Sequence, residues 1–210
     1  NKPYLKQIAK FKKPIIMSTG MASLKEIKDA VNILFDSGVN KKDLTLLQCT
    51  TEYPTPMDEV NLRVINTLRE TFDVSVGISD HTEGISVPIA AVALGATVIE
   101  KHLTLNKNLK GPDHRASIEP DELKLMVKGI REIERALGSG VKKPSPSEIK
   151  NKYIVRKSLV ALKLINPGDL FTYDNVGSKR PGYGISPMKI DEIIGKISRK
   201  TFKKDELIDL

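Results

Sequence analysis

Short apolar runs alternate with amphipathic segments through residue 138, and that alternation constrains the fold more than any other feature of the chain. Pro14 to Thr19 (PIIMST), Leu44 to Thr50 (LTLLQCT), Val74 to Ser79 and Thr97 to Leu103 read as strands. The segments that follow them read as helices: Ser23 to Ser37, Val60 to Phe72, residues 84–95 and Pro120 to Leu137. Ser23 with Glu26 three residues on is a capping-box signature, and Gly38 and Gly138 are helix stops. Strands that alternate with helices in this way pair in parallel, with the helices covering the sheet. Tyr4 to Phe11 reads as a helix with no strand before it. A closed (β/α)8 barrel needs eight strands. With four, residues 1–138 read as the second half of such a barrel, the first half lying outside this chain.

The pattern then changes. GSGVKKPSPSEIKN, residues 138–151, is rich in Gly, Ser and Pro, which break helix and strand alike, and reads as a linker. Residues 152–210 carry short strands and turns such as NPGD (Asn166 to Asp169) and PGYG (Pro181 to Gly184). The expected organisation is therefore a half-barrel over 1–138, a linker over 139–151 and a small, mostly β domain over 152–210.

Composition narrows the class. Of the 210 residues, 40% are hydrophobic and 29% charged, as in a soluble globular protein. The single cysteine, Cys49, excludes an internal disulfide framework and fits a reducing, cytoplasmic compartment. The longest nearly uncharged apolar stretch, Val87 to Ile99, is too short to cross a bilayer, and no signal peptide is read. Net charge is +8, but the cations are dispersed and aromatics are only 5%. Such a field suits a small anionic substrate better than a nucleic acid.

Two of the three histidines stand at matching ends of consecutive strand signals, His81 in VSVGISDHT and His102 in TVIEKHLTL. Strands joined by a helical crossover lie about 5 Å apart. By strand parity Ser79 and His81 point one way from their strand, and Glu100 and His102 point one way from theirs. Two imidazoles so placed, with a carboxylate below one of them, can share a divalent metal. The same spacing also fits two unrelated polar residues at strand ends.

Six segments carry a resemblance: KPIIMSTGM (13–21), LLQCTTEYPTP (46–56), GISDHT (77–82), VALGATVIEKHLTL (92–105), GPDHRASIEP (111–120) and KRPGYGISP (179–187). In this order and spacing the chain resembles the sialic acid synthase family. The resemblance implies a (β/α)8 barrel, a linker and a small domain similar to type III antifreeze proteins (a SAF domain), in a dimer whose small domains cover each other's barrel mouths. It implies metal-dependent condensation of phosphoenolpyruvate with an open-chain N-acetylated amino sugar, N-acetylmannosamine or a 2,4-diacetamido analogue, to a nine-carbon acidic sugar and phosphate. His81 and His102 match the ligands of a divalent metal, usually manganese, with magnesium or cobalt as substitutes. Ser18 and Ser79 match contacts to phosphoenolpyruvate. Thr51 falls where some members have Asn, also on the phosphate side. Tyr53 and Asp113 match residues that hold sugar hydroxyls, and Arg180 matches one that reaches the N-acetyl group from the partner chain. Glu100, inward beneath His102 by parity, is the candidate for orienting that ligand or transferring a proton. GPDHRAS looks more like N-acetylneuraminate or N,N'-diacetyllegionaminate synthases than pseudaminate synthases.

Other readings compete. A metal-dependent aldolase or hydrolase barrel would act without phosphoenolpyruvate, but leaves the appended β domain and KRPGYG unexplained. Ice binding by residues 152–210 needs a flat, weakly charged face, which a segment rich in Lys and Arg does not offer. Cys49 reads as a barrel-lining residue and His114 as a loop residue.

Overall fold

The structure, a computed structural model, describes residues 1–209. It divides into two compact units, Asn1–Gly140 and Val141–Leu210.

The first unit is the half-barrel expected from the alternation. Helix α1 (Lys2–Ala9) precedes β1 (Ile15–Ser18), α2 (Leu24–Asp36), β2 (Leu44–Cys49), α3 (Val64–Phe72), β3 (Ser75–Asp80), α4 (Ser86–Ala93), β4 (Val98–Lys101) and α5 (Pro120–Leu137). The four strands pair in sequence order, all parallel, in a curled sheet. Strand parity separates two faces. Ile15, Met17, Leu44, Leu46, Val76, Ile78 and Ile99 point to the helices, packing on Ile27, Val31 and Leu34 of α2 and Ile65, Leu68 and Phe72 of α3. Residues of the opposite parity, Ile16, Ser18, Thr45, Leu47, Cys49, Gly77, Ser79, Val98 and Glu100, line the concave face. A second cluster, Val92, Ile118, Met126 and Ile130, seats α5 against α4.

Element ends differ from expectation for local reasons. α3 begins at Val64, not Val60, because Asn61 adopts a left-handed conformation and Gln48 Nε2 donates to the Val60 carbonyl at 3.0 Å. β4 ends at Lys101. His102 and Leu103 lie just beyond it, with Leu103 joined to Ile118 by an isolated bridge.

In the second unit, part of the segment read as a linker is helical: α6 spans Pro146–Val155. Ser145 and Glu148 form a reciprocal capping box. Pro146 sits in the first turn, where its missing N–H is not needed. Strands β5 (Ser158–Ala161) and β6 (Val176–Lys179) pair antiparallel, and isolated bridges such as Ile165 to Phe202 and Leu170 to Ile197 complete the unit. Its core is Leu159, Ile165, Phe171, Val176, Ile193, Phe202 and Ile208.

At Gly77 the concave face of the half-barrel has no room for a side chain. A Cβ there would collide with the Val98 carbonyl and lie 2.6 Å from Leu47 Cδ2. Only a residue without a side chain lets β4 approach β3 closely enough to pair. Gly77→Ala is therefore expected to destabilise the fold by about 1–3 kcal/mol, the usual cost of overpacking, measured by chemical denaturation.

Candidate active site at the strand mouths

The C-terminal ends of β3 and β4 converge on three rings. Ser79 and Glu100 are register partners, so His81 and His102, each two residues further on, leave the sheet side by side. Their ring centroids are 5.3 Å apart at 80°. Tyr53, from the loop after β2, lies 4.1 Å from the His81 ring and 5.6 Å from that of His102. That loop is fastened around His81. Thr55 N donates to the His81 carbonyl at 3.0 Å, and Thr55 Oγ1 donates to the Glu52 carbonyl at 2.8 Å.

The same loop sets the state of the buried imidazole. His81 Nδ1 lies 2.9 Å from the Thr50 carbonyl oxygen, which can only accept. The neutral ring therefore donates from Nδ1 and carries its lone pair on Nε2. A backbone carbonyl behind one ring nitrogen is how metal-binding histidines are oriented. His102 is more exposed, and its Nδ1 is 3.9 Å from Asp113 Oδ2, a distance of electrostatic contact rather than a hydrogen bond. Among the described residues no group of three or more His, Cys, Asp and Glu side chains is placed to hold a metal. The donors that could be offered to a cation at this rim are the two imidazoles, a pair. It fits a divalent cation whose other positions are filled by water or substrate oxygens.

Glu100 stands on the concave face, as parity predicts, but its recorded hydrogen-bond partner is not His102. Ser79 Oγ donates to Glu100 Oε1 at 2.6 Å across the β3–β4 register. The hydroxyl proton of Ser79 is thus engaged, and both lone pairs of its oxygen are left to accept. Tyr53 ionises above the usual phenol range. Burial is the main cause, and negative charge at Cys49, Asp113 and Glu100 adds to it.

The first unit also carries Ser18, Thr51 and Asp113, singled out in the sequence. Ser18 ends β1 on the concave face and is exposed. Thr51 is brought beside the loop that follows β1: a Cβ on Gly20 would collide with Thr51 Oγ1 and press to 3.2 Å from Cys49 Sγ. Asp113 rides on the loop between β4 and α5. Arg180 belongs to the second unit, where its Nε donates to the Val155 carbonyl at 3.0 Å. Gly182 N donates to the Tyr153 carbonyl at 2.8 Å, and Tyr153 stacks on Tyr183 with centroids 6.1 Å apart. The Tyr53–Pro54 and Arg180–Pro181 peptide bonds are both cis.

Three contributors were not visible in the sequence reading: the Thr50 carbonyl, Thr55, and a buried ion pair between Asp80 and Lys101 at 2.6 Å. The signal for the last was present, since an ionisable residue immediately precedes each histidine (Asp80-His81, Lys101-His102). His114, read as a plain loop residue, is fastened by a 2.8 Å hydrogen bond between its Nδ1 and Thr104 Oγ1.

The sequence profile of the NeuB family matches residues 1–142. The chain belongs to the NeuB family. The profile of the SAF domain matches residues 156–210. Among curated relatives, the N,N'-diacetyllegionaminic acid synthase of Campylobacter jejuni is 56% identical over 208 residues, 99% of this chain and 62% of that protein. The N-acetylneuraminate-9-phosphate synthase of Homo sapiens is 40% identical over 213 residues, 99% of this chain and 58% of that protein. This NeuB chain therefore spans about three-fifths of the length of those relatives. Among solved structures, the N-acetylneuraminic acid (sialic acid) synthetase of Leptospira borgpetersenii serovar Hardjo-bovis, in complex with citrate, aligns with a TM-score of 0.65 at 38% identity, over 71% of this chain and 51% of that one. The spore coat polysaccharide biosynthesis protein spsE of Bacillus subtilis aligns at 0.61 with 31% identity, over 100% of this chain and 65% of that one.

The loop that carries Asp113 is pinned at its far end by a carboxylate. Glu122 accepts from Lys107 Nζ at 2.6 Å and from the Glu119 N–H at 2.9 Å, closing the cap of α5. The Lys107 bond, followed by the Glu119 N–H, holds the Glu122 carboxyl below the usual glutamate range. A lowered folded-state pKa gives stability that is present above the unfolded pKa and lost as pH falls through the folded one. Glu122→Gln is expected to cost about 1 kcal/mol at neutral pH. The gap to the unsubstituted protein should close as pH is taken below the ordinary glutamate range, as read by thermal melts across pH.

Proposed function

We propose that the intact protein condenses phosphoenolpyruvate with an open-chain N-acetylated amino sugar, giving a nine-carbon sialic-acid-type sugar and phosphate. The observation that carries this reading is the cluster of His81, His102 and Tyr53 at the strand mouths of a NeuB chain. In a parallel α/β barrel the C-terminal strand ends are where active sites are built.

In this reading, C3 of phosphoenolpyruvate forms a bond to the sugar aldehyde carbon, water adds to C2, and phosphate leaves by C–O cleavage. The attacking water gives up both its protons, one to the new alkoxide and one to the departing phosphate as C2 becomes a keto carbon, so the sum balances. His81 and His102 hold a divalent cation, Mn2+ first, with Mg2+ or Co2+ as alternatives. When bound, the cation supplies Lewis-acid polarisation of the aldehyde and orients the sugar. His81 offers Nε2 because its Nδ1 proton is committed to the Thr50 carbonyl. Tyr53, a neutral phenol on the imidazoles, and Asp113, beside His102, take sugar hydroxyls. Glu100, already bonded to Ser79 Oγ, is the group on this chain suited to hold a proton in transit. In this reading Ser18, Ser79 and Thr51 contact phosphoenolpyruvate. For Ser79 to donate to that anion its hydroxyl must turn from Glu100. Arg180 serves the N-acetyl group from the small domain of a partner chain in a homodimer. The reading places the protein in the cytoplasm, consistent with one cysteine and with no described helix long and apolar enough to cross a membrane.

Phosphate release from phosphoenolpyruvate by the full-length protein with Mn2+ tests the proposal. The reaction is run with N-acetylmannosamine, with the 2,4-diacetamido-6-deoxy analogue, and with no sugar. Identity to diacetyllegionaminic acid synthases favours the diacetamido sugar as the responding arm. The expected result is sugar-dependent release that chelator abolishes and that falls by about 100-fold or more in His81→Ala and His102→Ala. No sugar-dependent release from folded, Mn2+-loaded protein would sink the condensation and favour an aldolase-type barrel.

A further inference from the structure

Behind the two imidazoles, on the helix-facing side of the sheet, lies a buried ion pair. Asp80 and Lys101 are register partners at the last paired position of β3 and β4. Lys101 Nζ lies 2.6 Å from Asp80 Oδ2, and the two side chains are only 2% and 1% exposed. The pair is bonded further, always around His81. Asp80 Oδ1 accepts from Thr82 N at 3.0 Å, and Lys101 Nζ donates to the Thr82 carbonyl at 2.6 Å. Residues 80 and 82 are thus tied to each other and to Lys101, and His81 is the residue between them. On the other strand, His102 directly follows Lys101, and its carbonyl accepts from Ile118 N at 2.9 Å.

An isolated buried ion pair is a poor source of stability, because desolvation offsets most of the attraction. Backbone pairing at Gly77–Val98, Ile78–Ile99 and Ser79–Glu100 already sets the β3–β4 register. The pair adds a rigid cross-strand link at the rim, one residue before each histidine, where the chain leaves the sheet and backbone pairing stops. Because successive residues point to opposite faces, a link on the helix side fixes the two backbones from which the imidazoles project on the other.

We propose that the Asp80–Lys101 pair is a positioning element that sets the separation and orientation of His81 and His102. This rests on the reading of the histidines as joint ligands of one cation. Neither residue touches that cation or the substrates; both act through the neighbouring histidine.

The test compares the full-length protein with Asp80→Asn/Lys101→Met, which removes both charges and leaves no buried ion alone, and with Lys101→Arg, which keeps the charge but changes its reach and shape. Three quantities are read: the thermal midpoint, Mn2+ affinity by electron paramagnetic resonance of the free ion, and the imidazole nitrogen spectra of His81 and His102, assigned with single histidine variants. The expected result is folded variants with Mn2+ bound about 10-fold or more weaker, the scale of lost ligand orientation. Both rings should shift, and the His81 Nδ1–H signal should lose its hydrogen-bonded position. A folded double variant with Mn2+ affinity and imidazole spectra unchanged would overturn the proposal and leave the pair a strand fastener. If the double variant fails to fold, Lys101→Arg decides in the same way. If the unsubstituted protein takes up no Mn2+, the cation reading fails, and the imidazole spectra alone decide the positioning role: shifted rings support it, unshifted rings overturn it.

Discussion

The parallel register of β3 and β4 is the constraint on which the rest of the site depends. It pairs Ser79 with Glu100 and Asp80 with Lys101, so alternate residues serve opposite faces. On the concave face this gives the Ser79–Glu100 hydrogen bond and then, beyond the strand ends, the two imidazoles. On the helix face it gives the buried ion pair. A slip of one residue in either strand would send a histidine into the helix layer and an ionisable side chain into the mouth. The register itself relies on Gly77, whose lack of a side chain leaves room for the Val98 carbonyl and Leu47.

The loop after β2 supplies what the sheet does not. Thr50, Tyr53 and Thr55 meet His81 on its ring nitrogen, its ring face and its carbonyl. Strand geometry brings the imidazole to the rim; the loop selects its tautomer and covers one side. The rigid wall and the wrapped loop thus divide the work, the usual arrangement of a scaffold and the loops that carry function.

How much of this was legible in the sequence follows from how local each signal is. The helix–strand alternation and the two histidines at strand ends are local patterns, and both stand in the structure where parity put them. The partner of Glu100 depends on the stagger between two strands, which no single segment encodes, so the bond to Ser79 could not be read. The Asp80–Lys101 pair was written as two ionisable residues before two histidines, but a search for metal-binding types passes over a lysine. α6 was missed for the opposite reason. Ser145, Pro146 and Glu148 spell a helix start, yet the surrounding Pro, Gly and Ser outweighed it. The family resemblance gave Tyr53 a sugar contact but not its packing against both imidazoles, since turn residues give no direction.

The central claim is that His81 and His102 present their imidazoles to one divalent cation. Pulsed electron paramagnetic resonance of the Mn2+-loaded full-length protein measures this without reference to turnover. The account predicts nitrogen couplings from two imidazoles on one Mn2+, reduced to one in His102→Ala. Bound Mn2+ with no imidazole coupling, or with coupling unchanged when His81 and His102 are both replaced, would contradict it.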